Sequence, residues 1–337
     1  MSQLAEGNAV RAMIPEPVFR EVATHLCELV DGAGYPNDLA TLVLHHLSGK
    51  GRLLPEGRFS PWPFLTLLSY ETASGGPANA AIPAAAGIEI LVACADLIDD
   101  VQDGELEHVE RKEVSDVLEV VWVLNFLCEE SLLGSTNRGI APERALDAAR
   151  RMSGWSLRAM GGQHRDIAWE GADGISLRQS LEMTALKSAS LTCCATEVGA
   201  SLATSEPTVI DLYRDFGRRL GMVGQLMNDI AAVWPGGPRK SDLQLRKKTP
   251  PIVAGLEAAS RGDERAFPVA RFYGGLRGDC SVAGDQDEDA VKWALWDCGA
   301  IQRTWEAAAL ERAAAHKTIE DLGQHIPNAG LLKRLID

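Results

Sequence analysis

Four aspartates in the stretch "CADLIDDVQDGE", Cys94 to Glu105, set the chemistry that this chain has to explain. On a helix of about 3.6 residues per turn, Asp96, Asp99, Asp100 and Asp103 fall at i, i+3, i+4 and i+7, so all four carboxylates share one face. Like charges this close repel and raise one another's pKa unless cations neutralise them. A solvated acidic helix end is the bland alternative. Against it stands the approach, "AAIPAAAGIEILVACA", which is almost wholly uncharged and reads as a helix packed on most of its sides. The acidic face is therefore expected to open onto something other than bulk solvent.

A second stretch repeats the layout. Gln225, Asn228, Asp229 and Ala232 in "GQLMNDIAAVW" have the same spacing, with oxygen-bearing side chains at three of the four positions. Two such helices facing one another would line a single cavity mouth. Oxygen ligands without His or thiolate suit Mg²⁺, a hard octahedral ion that commonly shares its coordination with substrate phosphates. Just downstream, "PRKSDLQLRKKTPP" supplies Arg239, Lys240, Arg246, Lys247 and Lys248 around one further acid, Asp242. Beside a metal-binding helix this basic run fits a bound polyphosphate better than a solvated loop. Lys187 stands alone in the uncharged helical stretch "SLEMTALKSASL", and a buried lysine is costly unless an anion such as phosphate pairs with it. Gln163 and Asp166 in "MGGQHRDIAWE" lie one helical turn apart before a glycine-containing break, either as a polar helix end or as a functional pair.

The elements that must position these groups are helices. Apolar residues recur at three- and four-residue intervals in "EPVFREVATHLCELV", "DLATLVLHHLS", "RKEVSDVLEVVWVLNFLCEESLL", "APERALDAARRMSGWSLRAMGGQ", "ISLRQSLEMTALKSASLTCCATEVGASLA", "TVIDLYRDFGRRLGMVGQLMNDIAAVW" and "DAVKWALWDCGAIQRTWEAAALERAAAHKTIEDL". Strand-like alternation is hard to find, so the expected fold class is all-α. Breaks such as "SGGPAN", "LGSTNRGIAP", "WEGADGI" and "WPGGPRKS" are too short to be interdomain linkers, and one domain over 1–337 is expected.

Composition narrows the function. A chain of 337 residues, 46% hydrophobic, has ample material for a core. No unbroken apolar run reaches the roughly 18 residues of a membrane span, and the N-terminus lacks the order of a signal peptide. A soluble, cytoplasmic protein with no integral membrane segment is the expectation. Seven scattered cysteines form no CxxC pair, which speaks against disulfides and a zinc site. His45 and His46 make no metal spacing and read as surface or core residues. A formal charge of -14 argues against a nucleic-acid partner. An acidic enzyme that handles an anion needs metal ions to mediate.

Taken in order, DDxxD, GQxxD, K(T/S)A, a glutamine-preceded second acidic motif and (K)SD…KKTxP resemble the trans-isoprenyl diphosphate synthases, also called the polyprenyl synthetase family, from about Gly49 to the C-terminus. Five ordered motifs make the resemblance specific where a lone DDxxD would be weak. The resemblance implies an isoprenoid synthase fold, a bundle of ten or more helices around a deep apolar cavity, usually as a homodimer. It implies a trinuclear Mg²⁺ cluster that binds an allylic diphosphate. Carried over position by position, Asp99 and Asp103 are the principal metal ligands of the first motif with Asp100 in support. Asn228 and Asp242 bind the remaining metal, with Asp229 beside them. Lys187 and Lys247 hold the allylic diphosphate, Gln163 and Asp166 match the GQxxD pair, and Gln225 matches the glutamine before the second motif. Lys240 lies in the same basic run. Lys50 and Arg52 in "SGKGRLLP" look like an altered form of the basic segment that binds isopentenyl diphosphate.

The implied reaction is ionisation of an allylic prenyl diphosphate and its condensation with isopentenyl diphosphate to a longer polyprenyl diphosphate. Ala95 and Cys94 are small where a bulky aromatic would block the product tunnel, so a product longer than about ten carbons is expected. The departures from the family pattern cluster on the homoallylic half of the site. Val92 replaces the family's His or Gln, the Arg-Arg-Gly after the first motif is absent with Arg111 and Lys112 three residues late, and the N-terminal basic segment has altered spacing. The second acidic motif is reduced to Asn228 at its start and Ala232 at its end, and Asp96 is an extra carboxylate where the family usually has an apolar residue. Two alternatives follow from that asymmetry: a class I terpene cyclase acting on farnesyl or geranylgeranyl diphosphate, or prenyl transfer to a non-isoprenoid acceptor. A third, a catalytically weak partner subunit, fits poorly with a complete DDVQD.

Overall fold

The computed structural model describes residues 8–48, 52–54, 57–103, 111–237, 241–274 and 285–337. Its helices are α1 (Asn8–Arg11), α2 (Glu16–Gly32), α3 (Asn37–Leu47), α4 (Pro61–Ser74), α5 (Ile82–Gln102), α6 (Arg111–Leu133), α7 (Pro142–Trp169), α8 (Leu177–Thr184), α9 (Ser190–Ala203), α10 (Pro207–Ala232), α11 (Ser241–Gln244), α12 (Pro250–Ser260), α13 (Phe267–Gly274), α14 (Asp285–Asp297) and α15 (Ala300–Leu322). No strand occurs among the described residues, as the three- and four-residue periodicity requires.

The chain forms two compact units. The first comprises Met1–Leu157, Ser190–Arg218 and Ala315–Asp337, the second Arg158–Ala189 and Arg219–Ala314. In the first unit α5 is the central element, packed against α2, α3, α4, α6 and α9. Its residues from Ile82 to Cys94 are all buried, and the four-aspartate segment begins where that burial ends. Pro83 in the first helical turn starts α5, because proline there gives up no intrahelical hydrogen bond. The stretch Ala78–Gln102 is long and apolar enough to cross a membrane, closer to a span than the raw sequence suggests. With 83% of its apolar window buried inside the protein, it is a core helix.

In the second unit the core joins Ile230, Val233, Leu243, Ile252, Val269, Leu295 and Ile301 from α10 to α15. Helix α8 starts on a capping box, Ser176 accepting from Gln179 N–H while the Gln179 side chain takes the Ser176 N–H.

Two helices that periodicity draws as continuous are broken. The long run from Ile175 to Ala203 contains a π-helical turn at Ala185–Ala189 between α8 and α9. The run from Asp289 to Leu322 is split at Gly299, whose φ of 79° only glycine adopts without strain, so α14 ends and α15 begins there.

Candidate active site

The first acidic helix presents its carboxylates in graded exposure: Asp96 and Asp100 are exposed, Asp99 and Asp103 half-buried. The helix ends as Asp103 N–H donates to Asp99 O at 2.8 Å, so the backbone of the last turn ties the two aspartates together. Val92, Cys94 and Ala95 line α5 one to two turns back, with Val92 and Cys94 buried and Ala95 half-buried.

Further back on this face lies a residue that spacing alone did not flag. Glu89 is wholly buried, and both its oxygens are used: Leu53 N–H donates to Oε1 at 3.0 Å and Ser60 Oγ to Oε2 at 2.7 Å. Burial pushes its carboxyl above the ordinary carboxylate range, against the pull of the Arg52 guanidinium and the two hydrogen bonds. Glu89 thus pins the segment that carries Arg52, whose Nη2 lies 2.6 Å from Asp96 Oδ2. The only sequence signal for Glu89 was a lone carboxylate in an uncharged run, seven residues before Asp96. Replacing Glu89 by alanine strands two buried donors and is expected to cost about 2–4 kcal/mol, while Glu89→Gln mimics the protonated acid and is tolerated within about 1 kcal/mol. Because the folded-state pKa is raised, Glu89 withdraws stability as pH climbs from its unfolded value through its folded value. Urea unfolding of both variants across that pH range checks this: the glutamine variant should lose the decline.

In the second unit three of the expected groups converge. Asp166 is buried, and its Oδ2 takes Lys187 Nζ at 2.7 Å and Lys247 Nζ at 3.3 Å. Lys247 also meets Glu170 Oε1 at 3.0 Å, a partner one turn beyond Asp166 that the motif reading missed. Lys187, expected to require an anion beside it, has a carboxylate of the protein there, and its side chain keeps 25% of its exposure. Gln163 and Asp166 are likewise no exposed helix end but buried residues of α7. Gly162 lets α7 reach the π turn, because a Cβ there would collide with Lys187 N and lie 2.6 Å from Leu186 C. The π turn is what aims Lys187 at α7.

Lys247 and its neighbour are held in fixed directions. Arg246 has a φ of 54°, left-handed for a non-glycine residue, and Lys247 N–H donates to Asp242 O at 2.9 Å. Tyr273 OH donates to Lys247 O at 3.0 Å and Ser180 Oγ to Lys248 O at 2.7 Å. Lys247 therefore points to Asp166, while Lys248 lies over the Tyr273 ring, 4.4 Å from its centroid, beside a cavity of about 320 Å³.

On α10 Gln225 Nε2 donates to Asp229 Oδ1 at 2.8 Å. Burial above all drives the Asp229 carboxyl up to about 7; Asp242 and Asp166 raise it further, while Gln225 and Lys187 pull it down. Asn228 and Asp242 are half-buried, and Ala232 is buried, closing the motif with no donor. Lys50, Arg239 and Lys240 and the side chains of Arg111 and Lys112 lie outside the described residues.

Among the described residues no three His, Cys, Asp or Glu side chains are gathered closely enough to hold a metal ion by themselves. That still fits Mg²⁺, which keeps several waters and binds through one or two carboxylates completed by substrate phosphate. The donor chemistry fits as well: every candidate on α5 and α10 is an oxygen, and Asp229, whose carboxyl is raised chiefly by burial, also feels the charges of Asp242 and Asp166.

The fold and these motifs define a class of all-α prenyl-transferring enzymes. The pattern that describes the family Polyprenyl synthetase matches residues 62–268, and the chain belongs to that family. It is an enzyme of the polyprenyl diphosphate synthase type, a prenyltransferase of isoprenoid biosynthesis. A geranylgeranyl diphosphate synthase of Mycobacterium tuberculosis is 31% identical over 248 residues, which is 70% of this chain and 69% of that protein. A (2E,6E)-farnesyl diphosphate synthase of the same organism is 29% identical over 263 residues, 74% of this chain and 69% of that one. Among solved structures, geranylgeranyl pyrophosphate synthase of Corynebacterium glutamicum, complexed with isoprenyl diphosphate and magnesium, matches with a TM-score of 0.75 at 20% identity, covering 95% of this chain and 97% of its own. The expected fold class is thereby met.

Proposed function

We propose that this chain ionises an allylic prenyl diphosphate and condenses it with isopentenyl diphosphate, giving a prenyl diphosphate longer than about ten carbons. The observation that carries this, in a chain of this family, is the convergence of two ammonium groups, Lys187 and Lys247, on Asp166. Two aimed cations and a buried carboxylate form a cradle for a diphosphate. Gln163, Gln225 and Lys240 are assigned to the same substrate, and Lys50 and Arg52 to isopentenyl diphosphate. Small Cys94 and Ala95 support the longer product.

Asp99, Asp100 and Asp103 on α5, and Asn228, Asp229 and Asp242 of the second unit, are assigned to Mg²⁺, three ions in all. When bound, the metal supplies positive charge to the departing pyrophosphate. Lys187 and Lys247 add to it, being held in place before the charge develops.

We read 1–337 as one functional domain, because the family match runs through residues of both units. A homodimer is proposed through α6, where Val114, Leu118, Trp122 and Phe126 recur every fourth residue and are exposed, Trp122 at 68%. Burial of the long apolar helix and an acidic composition support a cytoplasmic location.

The test is mass spectrometry of products after incubation with Mg²⁺ and farnesyl diphosphate, with and without isopentenyl diphosphate. A longer prenyl diphosphate that appears only with isopentenyl diphosphate is expected. A hydrocarbon or alcohol formed without it would replace this reading by cyclisation.

A further inference from the structure

Arg52 and Asp96 form an ion pair whose two halves are built differently. Arg52 retains 12% of its side-chain exposure and Asp96 retains 57%. The arginine's backbone is also anchored, since the N–H of the next residue, Leu53, and the Ser60 hydroxyl both donate to buried Glu89. Glu89 and Asp96 lie seven residues and roughly 10 Å apart on one face of α5, and the charges of Arg52 and Asp96 both act on Glu89. The guanidinium is therefore fixed, with one immobile carboxylate near it and one exposed carboxylate upon it.

Asp166, in the second unit, offers the contrast. It is buried and shared by two lysines, which makes it a scaffold for cations. Asp96 sits at the surface, and displacing it from Arg52 breaks an ion pair that is partly exposed to solvent. A diphosphate offers the fork of a guanidinium more oxygens and more charge than one carboxylate does.

We propose that Asp96 is a built-in competitor for the second substrate: it occupies Arg52 in the free enzyme and must be displaced by the diphosphate of isopentenyl diphosphate. The inference rests on the assignment of Arg52 to that substrate. Competition of this kind raises the KM for isopentenyl diphosphate, leaves the KM for the allylic diphosphate alone, and does not touch kcat at saturation. It also accounts for a carboxylate standing where an apolar residue would leave the arginine open.

The test is calorimetric titration of isopentenyl diphosphate into the full chain, in EDTA so that no metal contributes, for wild type, Asp96→Asn, Arg52→Gln and the double variant. Asp96→Asn is expected to bind up to roughly fivefold tighter, the order of one partly exposed ion pair. On the Arg52→Gln background the same change should give no gain. In turnover with Mg²⁺, Asp96→Asn should lower the KM for isopentenyl diphosphate by a like factor and leave the allylic KM unmoved. Unchanged, weaker or undetectable binding by Asp96→Asn overturns the proposal. A gain that persists without Arg52 also overturns it, since general repulsion then explains the effect. Because binding is read without turnover, an Arg52-dependent gain in a protein that makes no longer prenyl diphosphate would sink the proposed reaction and leave the competition standing.

Discussion

Asp99→Ala is expected to lower Mg²⁺-dependent turnover by on the order of 10³-fold, about 4 kcal/mol of transition-state stabilisation, while the melting curve stays where it was. The separation of the two effects follows from where Asp99 sits. Its side chain is half-buried on the last turn of α5, and the bond that closes this turn runs from Asp103 N–H to the Asp99 backbone oxygen, which alanine keeps. Alanine is the best helix former, and removing one of four clustered carboxylates relieves repulsion, which offsets the loss of the aspartate's own interactions in the fold. The missing oxygen is felt most when a metal and a departing pyrophosphate must be held. Turnover measured across a Mg²⁺ titration, beside a thermal melt by circular dichroism, decides the matter. Activity within tenfold of wild type at saturating Mg²⁺ would remove Asp99 from the site.

The acidic face of α5 was legible because its signal is purely local: spacing, charge and an uncharged approach lie within one helix. The same holds for the all-α class. What escaped was set by contacts between segments distant in sequence. Glu89 reads as one acid in an apolar run, and its work becomes visible only when Leu53 and Ser60 arrive on its two oxygens. Glu170 follows Asp166 by one turn, yet nothing local says that Lys247 comes to it. Lys187 looked like a cation waiting for an external anion, because the carboxylate that holds it is 21 residues away. The π turn and the left-handed Arg246 have no compositional signature, since both are imposed by what the backbone packs against.

Gly162→Ala is the substitution expected to damage both stability and function most. An added Cβ meets only backbone at this point: it collides with Lys187 N and comes within 2.6 Å of Leu186 C and Lys187 Cα. No flexible side chain is there to move aside, so α7 and the π turn must separate, at a cost of roughly 3 kcal/mol or more. Separation also carries Lys187 away from Asp166, where Nζ now lies 2.7 Å from Oδ2, so turnover should fall by more than the loss of folded protein explains. Gly161 supplies the control. It lies on the same helix with nothing within 4 Å of an added Cβ, and alanine there should stabilise the protein by up to about 1 kcal/mol through helix propensity alone. Adjacent glycines in one helix thus carry opposite signs. Equal denaturation midpoints for the two alanine variants would show that α7 and the π turn are not in the close contact that aims Lys187.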